Sequence, residues 1–275
     1  MSIPTITLNN GIEMPQLGFG VFQVPDDETT AAVAEALRVG YRSIDTAAVY
    51  GNEAGVGRAI ADSGIDRSEL FITSKVWNSD QGFDATLRAY DEALEKLGLE
   101  QLDLYLIHWP TPERDLYLDT WRALERIHAE GRVRAIGVSN FQPAHLDRLV
   151  AASEVVPVVN QVELHPALQN HDVIAANARH GIATEAWSPL AQGAVLRDPA
   201  VVAIAEAHGV SPAQAVLRWH LQQGRIVIPK SVTPSRIAEN FDVFGFELTA
   251  DELGAIDALE RDGRTGPHPD EFHAA

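Results

Sequence analysis

The feature of this chain that most constrains its fold is an alternation of short apolar runs with amphipathic stretches, repeated eight times. The apolar runs have the length of β-strands rather than of helices. They predict strands at Gln16–Gly18, Ser43–Asp45, Phe71–Lys75, Leu102–His108, Val133–Val138, Val156–Asn160, Ile182–Trp187 and Ile226–Ile228. Eight strand–helix units within roughly 250 residues are typical of a (β/α)8 barrel, the TIM barrel. The chain has 275 residues, and we expect residues 1–275 to form one such α/β domain.

Helical patterns lie between these strands and continue beyond the last one. They predict helices at residues 26–39, Phe83–Leu97, Leu116–Glu130, Pro143–Ala152, His171–His180, Pro199–His208, Pro212–Gln223, Pro234–Phe241 and Ala250–Leu259. Because two of them follow the eighth strand, we expect extra C-terminal helices. At the other end, the alternating residues of Ile6–Met14 surround Asn10-Gly11, which predicts a type I′ β-hairpin ahead of the barrel.

A doubly wound parallel sheet also alternates strands and helices, and its dinucleotide-binding form carries G-x-G-x-x-G after the first strand. Two segments come close to that motif. Gly18-Phe19-Gly20-Val21-Phe22-Gln23 lacks the third glycine and leads into a loop. Gly55-Val56-Gly57-Arg58-Ala59-Ile60 also lacks it and lies inside a helical pattern. Neither segment supports the doubly wound fold, so the barrel is favoured.

Charge and composition exclude several classes of function. The chain has 39 acidic and 21 basic groups, so its net charge is 21 − 39 = −18, which argues against nucleic acid and anionic membranes as partners. It has no cysteine, which excludes disulfides and thiolate chemistry. No apolar stretch reaches the roughly 18 residues that span a bilayer, and the first residues do not read as a signal peptide. We expect a cytoplasmic protein. No cluster of histidines and carboxylates has ligand spacing, so we expect no metal.

Polar or aromatic residues occupy the C-terminal ends of seven successive predicted strands. In a (β/α)8 barrel all of these ends face one mouth, where active sites lie. The residues are Asp45, Lys75, His108, Ser139, Asn140, Asn160, Gln161, Trp187, Lys230 and Ser231. A single residue of this kind could be a loop former, but seven strands in register predict a functional site.

Four residues at or just after the first three of these ends suggest proton transfer to a carbonyl group. The phenol of Tyr50 has an ordinary pKa of about 10, too high for an efficient acid at neutral pH. A neighbouring ammonium stabilises phenolate and lowers that pKa. Lys75 can supply this charge if Asp45 holds it, and His108 can donate an N–H to the substrate oxygen. The carbon of the carbonyl then needs a hydride, which a reduced cofactor must provide.

The chain contains only three lysines, although it contains many arginines. Lys75 lies at the predicted proton-transfer site, where an amine is useful because its pKa can shift on burial. Lys230 lies after the eighth strand. Lys96 is predicted to form an exposed i,i+4 pair with Glu92 on a helix, which is an ordinary surface role.

A phosphate site is predicted after the eighth strand. Lys230, Ser231 and Arg236 surround a helix start at which Thr233 suits the N-cap and Pro234 the first helical position. A helix N-terminus with two cations is suited to a phosphate group.

Residues for the remainder of a dinucleotide are predicted on neighbouring strands. Trp187 can stack on a flat ring, and Ser139, Asn140 and Gln161 can form hydrogen bonds to an amide.

These motifs resemble those of the aldo-keto reductase superfamily, in order and from Gly18 to Asn240. They are Asp45-Thr46-Ala47, Tyr50-Gly51-Asn52-Glu53, Ser74-Lys75, Leu106-Ile107-His108-Trp109-Pro110, Gly137-Val138-Ser139-Asn140-Phe141, Asn160-Gln161-Val162-Glu163-Leu164-His165-Pro166 and Ile228-Pro229-Lys230-Ser231. Within the superfamily the chain is most similar to bacterial 2,5-diketo-D-gluconate reductases. Trp187 stands where many other members carry tyrosine, and it matches this subgroup.

The resemblance implies an NADPH-dependent reductase that binds its cofactor extended across the barrel mouth. It implies a catalytic tetrad of Asp45, Tyr50, Lys75 and His108. The implied cofactor contacts are Gly20, Val21, Phe22, Asp45, Ser139, Asn140, Gln161, Trp187, Ser188, Leu190, Lys230, Ser231, Val232, Arg236, Glu239 and Asn240. The expected substrate pocket is formed by Phe22, Tyr50, Trp77, His108 and Trp109.

Small dicarbonyls, keto-sugar acids such as 2,5-diketo-D-gluconate, and aldehydes all suit that pocket. The short loops indicate a monomer whose only partner is a small carbonyl substrate. Two other functions stay open on sequence grounds. Lys75 could form a Schiff base in a class I aldolase. Alternatively, the barrel could bind cofactor without catalysis, as channel-associated subunits and lens proteins of this type do.

Overall fold

The computed structural model describes residues 3–274 and contains an eight-stranded parallel sheet in which each strand lies beside its sequence neighbour. The strands of this sheet are β3 (Phe19–Gly20), β4 (Ser43–Asp45), β5 (Phe71–Val76), β6 (Leu102–Ile107), β7 (Val133–Ser139), β8 (Val159–Glu163), β9 (Ala183–Trp187) and β10 (Ile226–Val227). A parallel bridge between Leu17 and Val227 joins the two ends of the sheet. The predicted (β/α)8 barrel is confirmed.

The first and sixth barrel strands differ from their predicted positions. Residues 16–18 bond to the last strand, with the Gly18 amide donating to the Val227 carbonyl at 2.8 Å. The strand that pairs with β4 is β3, which begins at Phe19. The sixth strand, β8, starts three residues later than predicted, after Pro157, which has no N–H to contribute to a ladder.

Helices follow the strands around the barrel. They are α1 (Asp26–Val39), α2 (Glu53–Asp62), α3 (Phe83–Leu97), α4 (Tyr117–Ala129), α5 (Pro143–Ala152), α6 (His171–Arg179), α7 (Pro199–His208), α8 (Pro212–Gln222), α9 (Pro234–Phe241) and α10 (Ala250–Asp257). The expected helices after the eighth strand are α9 and α10. Short 3-10 turns add Ala48–Tyr50, Arg67–Glu69, Asn78–Asp80 and Ala191–Arg197.

The second glycine-rich segment of the sequence owes its glycines to helix packing. A Cβ on Gly57, within α2, would lie 2.4 Å from the Leu97 carbonyl oxygen at the end of α3. The glycine therefore allows the two helices to approach closely. Nearby, Lys96 does not pair with Glu92 as predicted. Its Nζ lies 3.8 Å from Oε2 of the buried Glu53, although the Lys96 side chain remains half exposed.

An antiparallel hairpin of β1 (Thr5–Thr7) and β2 (Glu13–Pro15) precedes the barrel. Its turn is not the predicted type I′, which needs positive φ at both central residues. Gly11 donates to the Leu8 carbonyl at 2.9 Å and has φ +83°, whereas the described residues with positive φ include neither asparagine of the turn. The loop is thus a three-residue connection with glycine in the left-handed position.

The hairpin also covers the end of the barrel at which the strands begin. Met14 is fully buried and packs in one cluster with Leu104, Leu106 and Ile226. The hairpin leaves uncovered the opposite end, where the strands finish and where active sites of (β/α)8 barrels lie.

Among residues 3–274, no single helix is long and apolar enough to cross a lipid bilayer. The pair α7 and α8 reaches that length and composition only together, with a 90° bend between them.

Candidate active site

Four predicted residues meet at the barrel mouth. Asp45 ends β4, Lys75 lies near the end of β5, His108 follows β6, and Tyr50 ends the 3-10 turn after β4. Lys75 is completely buried, and its Nζ donates to Asp45 Oδ1 at 2.6 Å and to the Thr46 carbonyl at 2.8 Å. The same Nζ lies 5.2 Å from the centre of the Tyr50 ring. The rings of Tyr50 and His108 meet edge to face, with centres 5.7 Å apart.

The loop that presents Tyr50 is held by one buried amide side chain. Asn52 accepts a hydrogen bond from the Thr46 hydroxyl at 2.8 Å and donates to the carbonyls of Val21 and Val24 at 3.0 and 2.9 Å. Gly51, between Tyr50 and Asn52, has φ +66°, a conformation that glycine adopts without strain. These contacts fix the loop that carries Tyr50, and none of them involves its phenol hydroxyl.

Burial and charge set the protonation states of the site. Burial alone would lower the pKa of Lys75, but the charge of Asp45, the proximity of Tyr50 and the hydrogen bond to Asp45 together outweigh burial, so the pKa lies above its usual value. Burial lowers the pKa of His108 far below its usual value, and the Lys75 charge adds to this effect. The site thus combines a charged ammonium with a neutral imidazole at neutral pH.

The pKa of Tyr50 differs from the sequence expectation. Burial raises it to about 12, and the attraction of Lys75 opposes that increase without reversing it. The phenol therefore keeps its proton at neutral pH. The ammonium acts in the expected direction, since it favours the phenolate once a proton has left.

A buried carboxyl, which sequence reasoning missed, joins this group from β9. Gln161 Nε2 donates to Asp45 Oδ2 and to Glu185 Oε2, both at 2.8 Å. Glu185 is fully buried. The signal was available in the sequence, because this residue is a charge inside the apolar run Ile182–Trp187.

The residues predicted to face an amide and a flat ring are bonded to one another. Trp187 Nε1 donates to Asn140 Oδ1 at 2.9 Å. Asn140 Nδ2 in turn donates to the His108 carbonyl at 3.0 Å and to Ser139 Oγ at 3.1 Å. Both amide protons of Asn140 are therefore used, and its oxygen remains as the acceptor for a further N–H. The indole is tied through Asn140 to the loop that carries His108.

The predicted phosphate site has the expected local structure. Thr233 is the N-cap of α9 and Pro234 its first residue, and the first turn contains no acidic residue. Lys230 and Arg236 are exposed, and neither has a carboxylate within 4 Å in the described part of the chain. Ser231 Oγ accepts from the Thr233 amide at 3.1 Å. Free cations beside a helix N-terminus fit an anionic phosphate.

The backbone links this site to the tetrad. Gly20 donates to the Pro229 carbonyl at 3.2 Å and pairs in register with Asp45. A Cβ on Gly20 would lie 2.9 Å from the Ile228 carbonyl oxygen, so the close approach requires glycine.

The other predicted cofactor residues lie on the neighbouring loops and on α9. They are Val21 and Phe22 after β3, Ser188 and Leu190 after β9, Val232 before α9, and Glu239 and Asn240 within it.

Aromatic side chains surround Tyr50 and His108. The Phe22 ring is 54% exposed and lies 5.0 Å from that of Tyr50. Trp77 lies 5.2 Å from His108. Trp109 is only 6% exposed because Phe272, from the C-terminal tail, lies 4.5 Å from it. The sequence did not indicate that the tail reaches this pocket.

The start of the tail is fixed to the end of β8. Glu163 accepts from the amide and hydroxyl of Thr265, each at 2.6 Å, and from the Gly266 amide at 3.0 Å. Burial alone would raise the pKa of Glu163, but hydrogen bonds from His165 and Thr265 bring it below its usual value. A Cβ on Gly266 would lie 2.5 Å from Cη2 of Trp187. The tail therefore packs directly on the indole.

Comparisons with known proteins agree with this geometry. Residues 16–261 match the Aldo/keto reductase family. The chain is 54% identical to glyoxal reductase of Bacillus subtilis (strain 168), with 98% of this chain and 97% of that protein covered. It is 51% identical to methylglyoxal reductase DkgA of Escherichia coli (strain K12), with 99% of each covered. A crystal structure of a Gox0644 mutant in complex with NADPH superimposes with a TM-score of 0.95 at 50% identity, again with 99% of each chain covered.

Both the arrangement of the barrel mouth and the similarity along nearly the whole chain lead to one assignment. This chain belongs to the aldo/keto reductase family, the NADP(H)-dependent oxidoreductases that reduce carbonyl groups.

Proposed function

We propose that the chain reduces small aldehydes and ketones to alcohols, with Tyr50 as the general acid. The observation that carries this proposal is the buried Lys75–Asp45 ion pair beside the Tyr50 phenol. A charged lysine is costly to bury, and this one is placed where it stabilises a phenolate. His108, neutral and at the edge of the Tyr50 ring, is suited to orient the carbonyl oxygen by donating an N–H.

Bound NADPH supplies the hydride that reaches the carbonyl carbon. As negative charge develops on the carbonyl oxygen, Tyr50 transfers its phenolic proton to that atom, and the product is a neutral alcohol. The remaining phenolate is stabilised by the Lys75 ammonium, which Asp45 and the Thr46 carbonyl hold in place. Water then returns a proton to Tyr50.

Tyr50→Phe tests this assignment. A general acid contributes roughly 10²- to 10⁴-fold to the rate, so we expect kcat for methylglyoxal reduction to fall by that factor. The assay follows NADPH consumption at saturating cofactor. Tyr117→Phe is the matched control, since it removes a phenol oxygen whose one hydrogen bond among residues 3–274 comes from Arg148, on the outer helices. Equal kcat values for Tyr50→Phe and the parent protein would contradict the role of Tyr50 and favour a non-catalytic, cofactor-binding barrel.

For the cofactor, we propose that Lys230, Ser231 and Arg236 hold the 2′-phosphate of NADPH. Trp187 stacks on the nicotinamide, while Ser139, Asn140 and Gln161 contact its carboxamide. The remaining cofactor contacts are Gly20, Val21, Phe22, Asp45, Ser188, Leu190, Val232, Glu239 and Asn240. The support lies in the exposed cations near the start of α9, which have no carboxylate partner among residues 3–274, and in the second lone pair of Asn140 Oδ1, which can accept a further N–H.

For the substrate, we propose small dicarbonyls and keto-sugar acids such as 2,5-diketo-D-gluconate. The aromatic wall of Phe22, Trp77 and Trp109 suits compact carbonyl compounds, and the named relatives are glyoxal and methylglyoxal reductases. An aldolase function has less support. A Schiff base needs a neutral amine, whereas the pKa of Lys75 is raised and its Nζ is bonded to Asp45.

We also propose that residues 1–275 act as one domain and as a monomer in the cytoplasm. One apolar core cluster contains residues from strands all around the barrel, which supports a single folding unit. A reaction that consumes NADPH needs the reduced nicotinamide pool inside the cell.

A further inference from the structure

Glu185 is a buried carboxyl to which the proposed reaction gives no role. It lies on β9, in register with Gln161 of β8 and Ile226 of β10. Its Oε2 accepts a hydrogen bond from Gln161 Nε2 at 2.8 Å, and its Oε1 is buried without a partner in the described part of the chain. An unpaired buried carboxylate oxygen is expensive to maintain, which points to a function or to a proton.

The contact with Gln161 connects Glu185 to the tetrad. The same Nε2 that donates to Glu185 donates its other proton to Asp45 Oδ2 at 2.8 Å. Asp45 Oδ1 in turn accepts from Lys75. A continuous chain of hydrogen bonds therefore runs from Glu185 through Gln161 and Asp45 to the ammonium beside Tyr50.

The charges around Glu185 favour its neutral form. Asp45 faces it from β4, Lys75 from β5 and Gln161 from β8, while its register partner on β10 is the apolar Ile226. Asp45 and Lys75 balance each other, so an ionised Glu185 would leave an excess negative charge in the core. Burial and the Asp45 charge raise the pKa of Glu185 to about 8, against smaller opposing effects of Gln161 and Lys75.

We propose that Glu185 is a positioning residue that, while neutral, holds Gln161 against Asp45, and that its ionisation impedes proton donation by Tyr50. The inference rests on the proposed role of Tyr50. The physical reason is charge: a carboxylate at this place raises the pKa of Tyr50, because it opposes the phenolate that proton transfer leaves behind. Carbonyl reduction thus slows as Glu185 loses its proton.

Glu185→Gln tests the charge without removing the acceptor for Gln161. The measurement is kcat against pH from 6 to 9.5 at saturating NADPH and methylglyoxal. We expect the parent enzyme to lose activity on an alkaline limb, and the variant to match the parent kcat at pH 6–7 and to lack that limb. A limb of the same position and depth in both proteins would overturn the proposal, as would a kcat reduced by one constant factor at every pH.

Glu185→Met separates the two roles. Methionine has a similar volume, carries no charge and offers no oxygen to Gln161. We expect the alkaline limb to disappear in this variant too, but with kcat lowered at pH 7 because Gln161 no longer has its second anchor. Full activity of Glu185→Met at pH 7 would contradict the positioning role.

The stability of the unliganded protein gives a readout that does not depend on turnover. The pKa of Glu185 is about 8 in the folded protein and ordinary in the unfolded chain, so the folded state binds the proton more tightly. Its contribution to stability is therefore present at low pH and is lost as the pH rises through about 8. We expect the Tm of the parent protein to fall relative to that of Glu185→Gln between pH 5 and 9, by more than about 4 °C.

Glu69→Gln, the same change on an exposed side chain, should leave the pH dependence of Tm unchanged. A Tm difference between parent and Glu185→Gln that is constant with pH would overturn the assignment. If instead the parent protein does not turn over NADPH, or Tyr50→Phe is fully active, the proposed reaction is wrong, and the Tm profile still decides whether Glu185 is neutral in the fold.

Discussion

At the scale of single residues, the three lysines show how one side-chain type serves three different environments. Lys75 is buried between Asp45 and the Thr46 carbonyl, where its charge acts on Tyr50. Lys96 is half exposed and lies near a buried carboxylate. Lys230 is exposed and has no carboxylate partner in the described chain, which leaves its charge free for an anion. The fold provides a carboxylate for Lys75 and, at a longer distance, for Lys96, whereas Lys230 has none in the described chain.

The free cations lead to a prediction about cofactor choice. In the double variant Lys230→Gly/Arg236→His, two charge-assisted contacts to the 2′-phosphate are lost, and we expect the Kd for NADPH to rise about 100-fold or more. The Kd for NADH, which has no 2′-phosphate, should change little. Quenching of tryptophan fluorescence measures both constants. Arg88→His changes an exposed arginine on α3 and is the control. Equal weakening of NADPH and NADH would refute the assignment of the phosphate site.

At the scale of elements, the C-terminal tail is bonded to the end of β8 and packs against Trp187 at the end of β9. Glu163 holds Thr265 and Gly266 by three hydrogen bonds. Beyond them, Phe272 covers Trp109 and approaches Trp77. The tail thus contacts both the proposed cofactor face and the proposed substrate wall, although it belongs to no strand or helix of the barrel.

Gly266→Ala tests this contact. The new Cβ would lie 2.5 Å from the Trp187 indole, and forcing a methyl group into a packed contact costs roughly 1–3 kcal/mol. We expect the indole to be displaced and NADPH to bind about tenfold more weakly. The measurement is energy transfer from tryptophan to bound NADPH. Gly254→Ala in α10, where an added Cβ meets nothing within 4 Å, is the matched control. Unchanged NADPH affinity in Gly266→Ala would show that the tail does not support the indole.

At the scale of the whole molecule, the chain carries a strong negative charge and exposes few large hydrophobic residues in its described part. The net charge is −18, and in residues 3–274 only Phe22, Val49, Phe83 and Val232 are large exposed hydrophobic residues. Two of these lie at the proposed cofactor site. Like charges repel one another, and the described residues offer few exposed hydrophobic side chains to offset that repulsion, so we expect a monomer.

Sedimentation velocity checks this expectation. We predict a single species near the chain mass of 29.9 kDa whose sedimentation coefficient does not change between 5 and about 100 µM protein, at low and at moderate salt. Salt screens the repulsion between copies, so a monomer that persists in salt lacks an attractive interface as well. A species of twice that mass, growing with concentration, would show that the chain dimerises.

The strand ends explain why much of the site could be predicted from sequence. In a closed barrel all parallel strands end on one side, so a polar or aromatic residue that closes an apolar run is expected near the mouth. Asp45, Lys75, His108 and Trp187 are of this kind, whereas Gln161, expected just after its strand, lies within β8. The start of α9 could also be predicted from the sequence, since Thr233-Pro234 is a local signal for a helix N-terminus.

Contacts between residues distant in sequence were decided only by the tertiary structure. Local patterns do not say that Gln161 joins Asp45 to Glu185, that Gly57 receives the Leu97 carbonyl, or that Phe272 covers Trp109. The pKa of Tyr50 depends on how completely neighbouring elements remove water from the phenol. The sequence therefore predicted that Lys75 lowers this pKa, but not that burial raises it by more. The alternation of apolar and amphipathic segments, and with it the order of strands and helices, is a local property of the sequence, whereas burial and long-range pairing exist only once the barrel has closed.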